Sequence, residues 1–113
     1  MKEHEWIKEI NIAINVCNKE GNLLFLNDKA IELFKNDGGE KLIGQNIINC
    51  HPEKERQKLI KMLNNPNVNC YTIERTSGKK LIYQAPWYVN GTYMGYTEFI
   101  IELPISLSNK KIE

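Results

Sequence analysis

Residues 79–103, KKLIYQAPWYVNGTYMGYTEFIIEL, constrain the fold more than any other stretch of this chain. Two β-rich runs flank the dipeptide Asn90-Gly91. That pair suits a two-residue type I′ turn, where both central positions need positive φ. A turn there sets Val89 opposite Thr92, Trp87 opposite Met94, Ala85 opposite Tyr96 and Ile82 opposite Phe99. Side chains alternate along a strand, so this register sorts them into two faces. Ile82, Gln84, Tyr88, Tyr93, Thr97 and Phe99 share one face. Leu81, Tyr83, Trp87, Tyr96, Glu98 and Ile100 share the other. The glutamates at 98 and 102 mark the second face as the outer one. Its aromatic residues make it too apolar to stand bare in water, so cover is expected on both sides.

The remaining elements follow in order. Residues 3–10 read as a short amphipathic helix with Trp6, Ile7 and Ile10 on one side, too short to persist without docking. Residues 11–18 alternate as a strand, 19–21 turn, and 22–26 form a second strand. A helix over 28–35 follows, with Asn27 or Asp28 as its cap, and Asn36-Asp37-Gly38-Gly39 stops it. Leu42, Ile43, Ile47 and Ile48 anchor the next segment. Asn49-Cys50-His51-Pro52 then leads into a helix over 53–64, whose apolar rail is Leu59, Met62 and Leu63. His51 precedes that helix on the same side as the rail. Residues 68–75 form a strand and 76–78 a turn into the long hairpin. The expected architecture is α+β: a five-stranded antiparallel sheet with helices on one face and an N-terminal flanking helix. It divides into the helix at 1–10, a domain at 11–104 and a tail at 105–113.

At 113 residues the chain makes one domain. A net charge of +1 with 26% charged residues gives no basic surplus for nucleic acid. No apolar run reaches the length of a membrane span, and the start MKEHEWIKEI is too polar for a signal peptide, so a cytoplasmic location is expected. Cys17, Cys50 and Cys70 are an odd number of thiols without close spacing, and they read as reduced, buried small side chains.

Residues 12–27, IAINVCNKEGNLLFLN, pair an apolar strand with a Glu-Gly turn, a second strand and an Asn that begins a helix. Residues 42–47, LIGQNI, carry a glycine after that helix, and residues 86–102 close with a hairpin containing Gly91 and Gly95. In this order and spacing the chain resembles a PAS domain over residues 8–103, with Asn18 where the family usually has an acidic residue. The Asn49-Cys50-His51-Pro52 block resembles a subgroup of bacterial PAS domains found behind hemerythrin-like regions. The resemblance implies a sensory or interaction module, commonly dimeric, whose inner sheet face and helices enclose a small ligand.

An enzyme is not expected. The chain shows no phosphate-binding glycine loop, no paired metal-ligand spacing and no nucleophile–base–acid order. Cys50-His51 could suggest an activated thiolate, but chain neighbours rarely face each other. Asn49-Cys50-His51-Pro52 also departs from the Asn-Cys-Arg pattern of flavin photosensors. His51 is the sharpest candidate. Its imidazole could ligate a haem iron, as the resemblance implies for a histidine on the helical side, or hydrogen-bond a polar ligand, or sense pH. The bland reading, a histidine satisfying a backbone carbonyl, is favoured over these. Leu59, Met62 and Gln84, with Tyr88, Tyr93, Thr97 and Phe99, complete the candidate ligand site. Trp6, Ile10, Leu81 and Tyr83, with Trp87, Tyr96 and Ile100, read as a homodimer interface, since aromatic anchors suit interface cores. The expected function is a ligand-binding signalling module that homodimerises through its outer sheet face and N-terminal helix and works on a partner in trans. The alternative is a pure dimerisation module with a filled core and no ligand.

Overall fold

The computed structural model describes residues 5–113. Its elements are α1 (Glu5–Lys8), β1 (Ala13–Asn18), β2 (Leu23–Leu26), α2 (Asp28–Leu33), α3 (Ile47–Cys50), α4 (Glu53–Asn64), β3 (Asn69–Arg75), β4 (Gly78–Val89) and β5 (Thr92–Leu103). The strands form one antiparallel sheet in the order β2-β1-β5-β4-β3. Two apolar clusters join its inner face to the helices. One gathers Ala13, Leu26, Ile82 and Ile100 around Ala30, and the other gathers Cys17, Leu23 and Tyr96 around Leu63. This is the α+β architecture expected from the sequence.

The hairpin turns at Asn90-Gly91, with φ of 49° and 80°, and Val89 pairs with Thr92. Two residues later the register departs from expectation. Tyr88 pairs with Tyr93, but Trp87 pairs with Gly95, so Met94 is left over as a bulge. A bulge adds one residue to one strand and so moves every later side chain of that strand to the opposite face. Ala85 therefore pairs with Thr97 and Ile82 with Ile100. Tyr96 and Ile100 are buried at 3% and 9% exposure under the helices, not on the outer face. Glu98 also points inward, and Phe99 packs against Tyr83 on the outer face with ring centroids 6.5 Å apart.

Gly95 is the residue that permits the irregularity. Its φ is 152°, and a Cβ there would collide with the backbone of Cys17 and Asn18. The Trp87 indole reaches from β4 past β5 and donates from Nε1 to Cys17 O at 3.0 Å. It crosses β5 at Gly95, its pairing partner, where there is no side chain.

Asn27, not Asp28, caps α2: its Oδ1 accepts from Ala30 N at 3.1 Å. The helix ends at Leu33, two residues short of expectation, because the chain tightens into 3-10 turns at Lys35–Asp37 and Gly39–Leu42. Of the expected N-terminal helix, residues 5–8 are helical and residues 1–4, with His4, lie outside the described residues. Lys8 pairs with Asp28 at 3.1 Å, which holds α1 beside the start of α2. Trp6 stays 58% exposed, and no residue of α1 is buried. Cys17 is buried as expected, whereas Cys50 and Cys70 are exposed: Cys50 ends a short surface helix and Cys70 points outward from edge strand β3.

Candidate functional site

A cavity of about 1100 Å³, open to solvent on one side, lies between the inner sheet face and the helical layer. Its floor is polar. Asn15 on β1, Glu98 on β5, Gln84 on β4 and Asn69 on β3 are register neighbours, so four adjacent strands set their side chains in one row. Asn15 Nδ2 donates to Glu98 Oε1 at 2.9 Å, and Gln84 Nε2 donates to Glu98 Oε2 at 2.7 Å. Gln84 Oε1 in turn accepts from Asn69 Nδ2 at 3.4 Å. Among the described residues no cation pairs with Glu98.

Leu26, Phe34, Leu42, Leu59 and Met62 form the apolar part of the cavity's walls, and the exposed Asp37, Glu55, Lys58 and Lys61 stand at its open side. Tyr96 fastens the roof. Its hydroxyl donates to Met62 O at 3.0 Å and accepts from Asn67 N at 2.8 Å, tying the end of α4 to the sheet. Tyr71 on β3 also lines the space, and burial, then the nearby Glu98 and Glu55 charges, push its phenol up from its ordinary value. Burial likewise pushes up the Cys17 thiol, which disfavours a reactive thiolate there.

Of the residues expected at a ligand site, His51, Leu59, Met62, Gln84 and Thr97 border this cavity. Beyond the bulge, however, Thr97 pairs with Ala85 and alternates with inward Glu98, so its side chain lies on the outer side of β5, not the inner side expected, and its hydroxyl donates to Asn15 O at 3.1 Å. Phe99 has moved to the outer face with the bulge, and Tyr88 is 54% exposed near the hairpin tip. Tyr93 faces a smaller recess beside Lys19, Ile60 and Leu63. Its hydroxyl is buried without a partner among the described residues, and burial pushes its pKa up to about 12. Glu98, Asn15, Asn69 and Tyr96 were not expected here. A glycine inside a strand is a bulge signal, and Gly95 was the residue that could have placed Tyr96 and Glu98 inward.

His51 is exposed at the rim, and its Nδ1–H donates to Ile47 O at 2.6 Å. That bond leaves Nε2 as the free acceptor. The nitrogen is suited to a metal, but the set of residues does not fit haem: a carboxylate–amide row crosses the floor on which an apolar macrocycle would have to lie. Among the described residues no group of three or more His, Cys, Asp or Glu is placed to hold a metal ion.

No protein-family model and no curated protein matches the chain. Solved structures do. A C-terminal domain from Streptococcus mutans superposes with a TM-score of 0.68 at 19% identity, over 84% of this chain and 78% of that one. The PAS domain of BvgS from Bordetella pertussis gives 0.59 at 18% identity, over 88% and 82%. The chain has the PAS fold. A sensory box sensor histidine kinase from Vibrio cholerae gives a TM-score of 0.62 at 16% identity, over 89% of each chain. The Aer2 receptor of Vibrio cholerae, described as a dual PAS-heme oxygen sensor, gives 0.59 at 15% identity, over 82% and 95%. Within this PAS fold the cavity lies between the sheet and α3 and α4. Among the described residues no helix is long and apolar enough to cross a membrane.

Proposed function

We propose that this PAS-fold chain is a sensory module that takes a small ligand between sheet and helices, self-associates through its outer sheet face, and acts on a signalling partner in trans. The observation that carries the ligand reading is the cavity of about 1100 Å³ with an ordered polar floor at Glu98. Fold alone does not assign the ligand. The neighbours named as sensor kinases and receptors favour signalling. The haem of the Aer2 receptor is not carried over, because the floor here is charged.

Signal transfer by this reading is differential binding: a ligand that contacts both floor and roof stabilises the arrangement in which Tyr96 holds α4 to the sheet. Native mass spectrometry of freshly purified protein tests both halves together. The expected spectrum shows a dimer carrying a small-molecule adduct that is lost on denaturation. A bare monomer that binds nothing from a metabolite extract would count against both halves.

A further inference from the structure

We infer that the cavity selects a small organic cation, a primary ammonium or guanidinium on an apolar body, with Glu98 as its counter-charge. This rests on the reading of the cavity as a ligand site and deepens it. The Glu98 side chain is partly buried on the inner face of β5. Burying a carboxylate is unfavourable unless it is hydrogen-bonded and paired with a cation. The fold meets the first condition and leaves the second open. Asn15 and Gln84 each donate to one oxygen, which uses two of the roughly four lone-pair directions a carboxylate offers. Both donors are neutral amides, so they orient the charge without cancelling it.

Cationic side chains do border the same cavity. Lys58 and Lys61 stand on α4, yet both are exposed and neither pairs with Glu98. An anionic ligand on this floor meets repulsion. A neutral ligand without donors strips water from Glu98 and replaces it with nothing. A cation with N–H donors satisfies both charge and geometry, while Phe34, Leu42, Leu59 and Met62 accept an apolar body.

The test is an amide NMR titration of the purified chain with three probes of one shape: phenethylammonium, 2-phenylethanol and phenylacetate. The expected result is shifts at Asn15, Gln84 and Glu98, with the ammonium binding roughly tenfold tighter than the alcohol and the carboxylate weakest. In Glu98→Gln, which keeps the size of the side chain, the preference for the ammonium over the alcohol disappears. If that variant does not fold, the ranking of the three probes on the unaltered chain decides alone. Equal affinity for ammonium and alcohol, tighter binding of phenylacetate, or a preference that survives in Glu98→Gln overturns the inference while leaving the ligand site in place. A cavity that none of the three probes perturbs overturns the ligand site as well.

Discussion

Asn27 is 1% exposed, yet every hydrogen-bonding group of its side chain is used. Oδ1 accepts from Ile14 N and Ala30 N, while Nδ2 donates to Ile7 O and Ile12 O. One side chain thus caps α2, secures the start of β1 and holds α1. Asn27→Ala strands buried backbone groups in three segments, so a loss of about 3 kcal/mol or more is expected in urea unfolding. Tyr93 is the opposite case, because its hydroxyl is buried without a partner among the described residues. Tyr93→Phe removes that cost and is expected to leave stability unchanged or raise it by up to about 1 kcal/mol. The same residue makes an alkaline prediction. The folded pKa of about 12 lies above the ordinary phenol value of 10.0. The unfolded chain therefore releases this proton first, and the stabilisation, complete below pH 10, is lost as pH rises from 10 towards about 12. Absorbance titration at 295 nm should show a late phenol in the native chain that is missing in Tyr93→Phe.

The β4–β5 hairpin carries the largest difference between expectation and structure. Its turn was legible because Asn90-Gly91 suits only a narrow set of backbone shapes. Its faces were not, because one extra residue at Met94 inverts everything beyond it. Glutamates ordinarily mark solvent, so the pattern alone points Glu98 outward, and the cross-strand amides of Asn15 and Gln84 make its inward placement tolerable. Gly95→Ala tests the bulge directly. The new methyl meets the backbone of Cys17 and Asn18, which cannot yield as a flexible side chain would. A loss of about 3 kcal/mol is expected in thermal or denaturant melts. A neutral effect would mean that the bulge is not formed in solution.

For the whole molecule, the outer sheet face is the surface still to be accounted for. Leu81, Phe99 and Ile101 are half-buried there, and Tyr83 is 38% exposed. Trp87 is partly satisfied within the chain by Cys17 O, so it is a weaker anchor than its size suggests. Tyr96 and Ile100 lie inside and leave the proposed interface altogether. If this face joins two copies, Tyr83→Glu places a charge at its centre and should shift sedimentation from dimer to monomer while circular dichroism stays native. A native chain that sediments as a monomer at high concentration would end the proposal of self-association.

Local physics was readable from the residues themselves: the alternation of β1, the Asn-Gly turn, the glycine stop after α2 and the apolar rail of α4 all act over a few neighbours. These settled the element order and the α+β architecture. His51, Leu59, Met62 and Gln84 reached the cavity for the same reason, since each sits on an element whose inward side the pattern revealed. What the chain did not disclose on its own depends on contacts between residues far apart in sequence. The inward turn of Glu98 needs Asn15, 83 residues away, and the hold on α4 needs Tyr96 to meet Met62, 34 residues away. A bulge is decided when strands compete for partners, and only the assembled sheet shows which side chain lost its place.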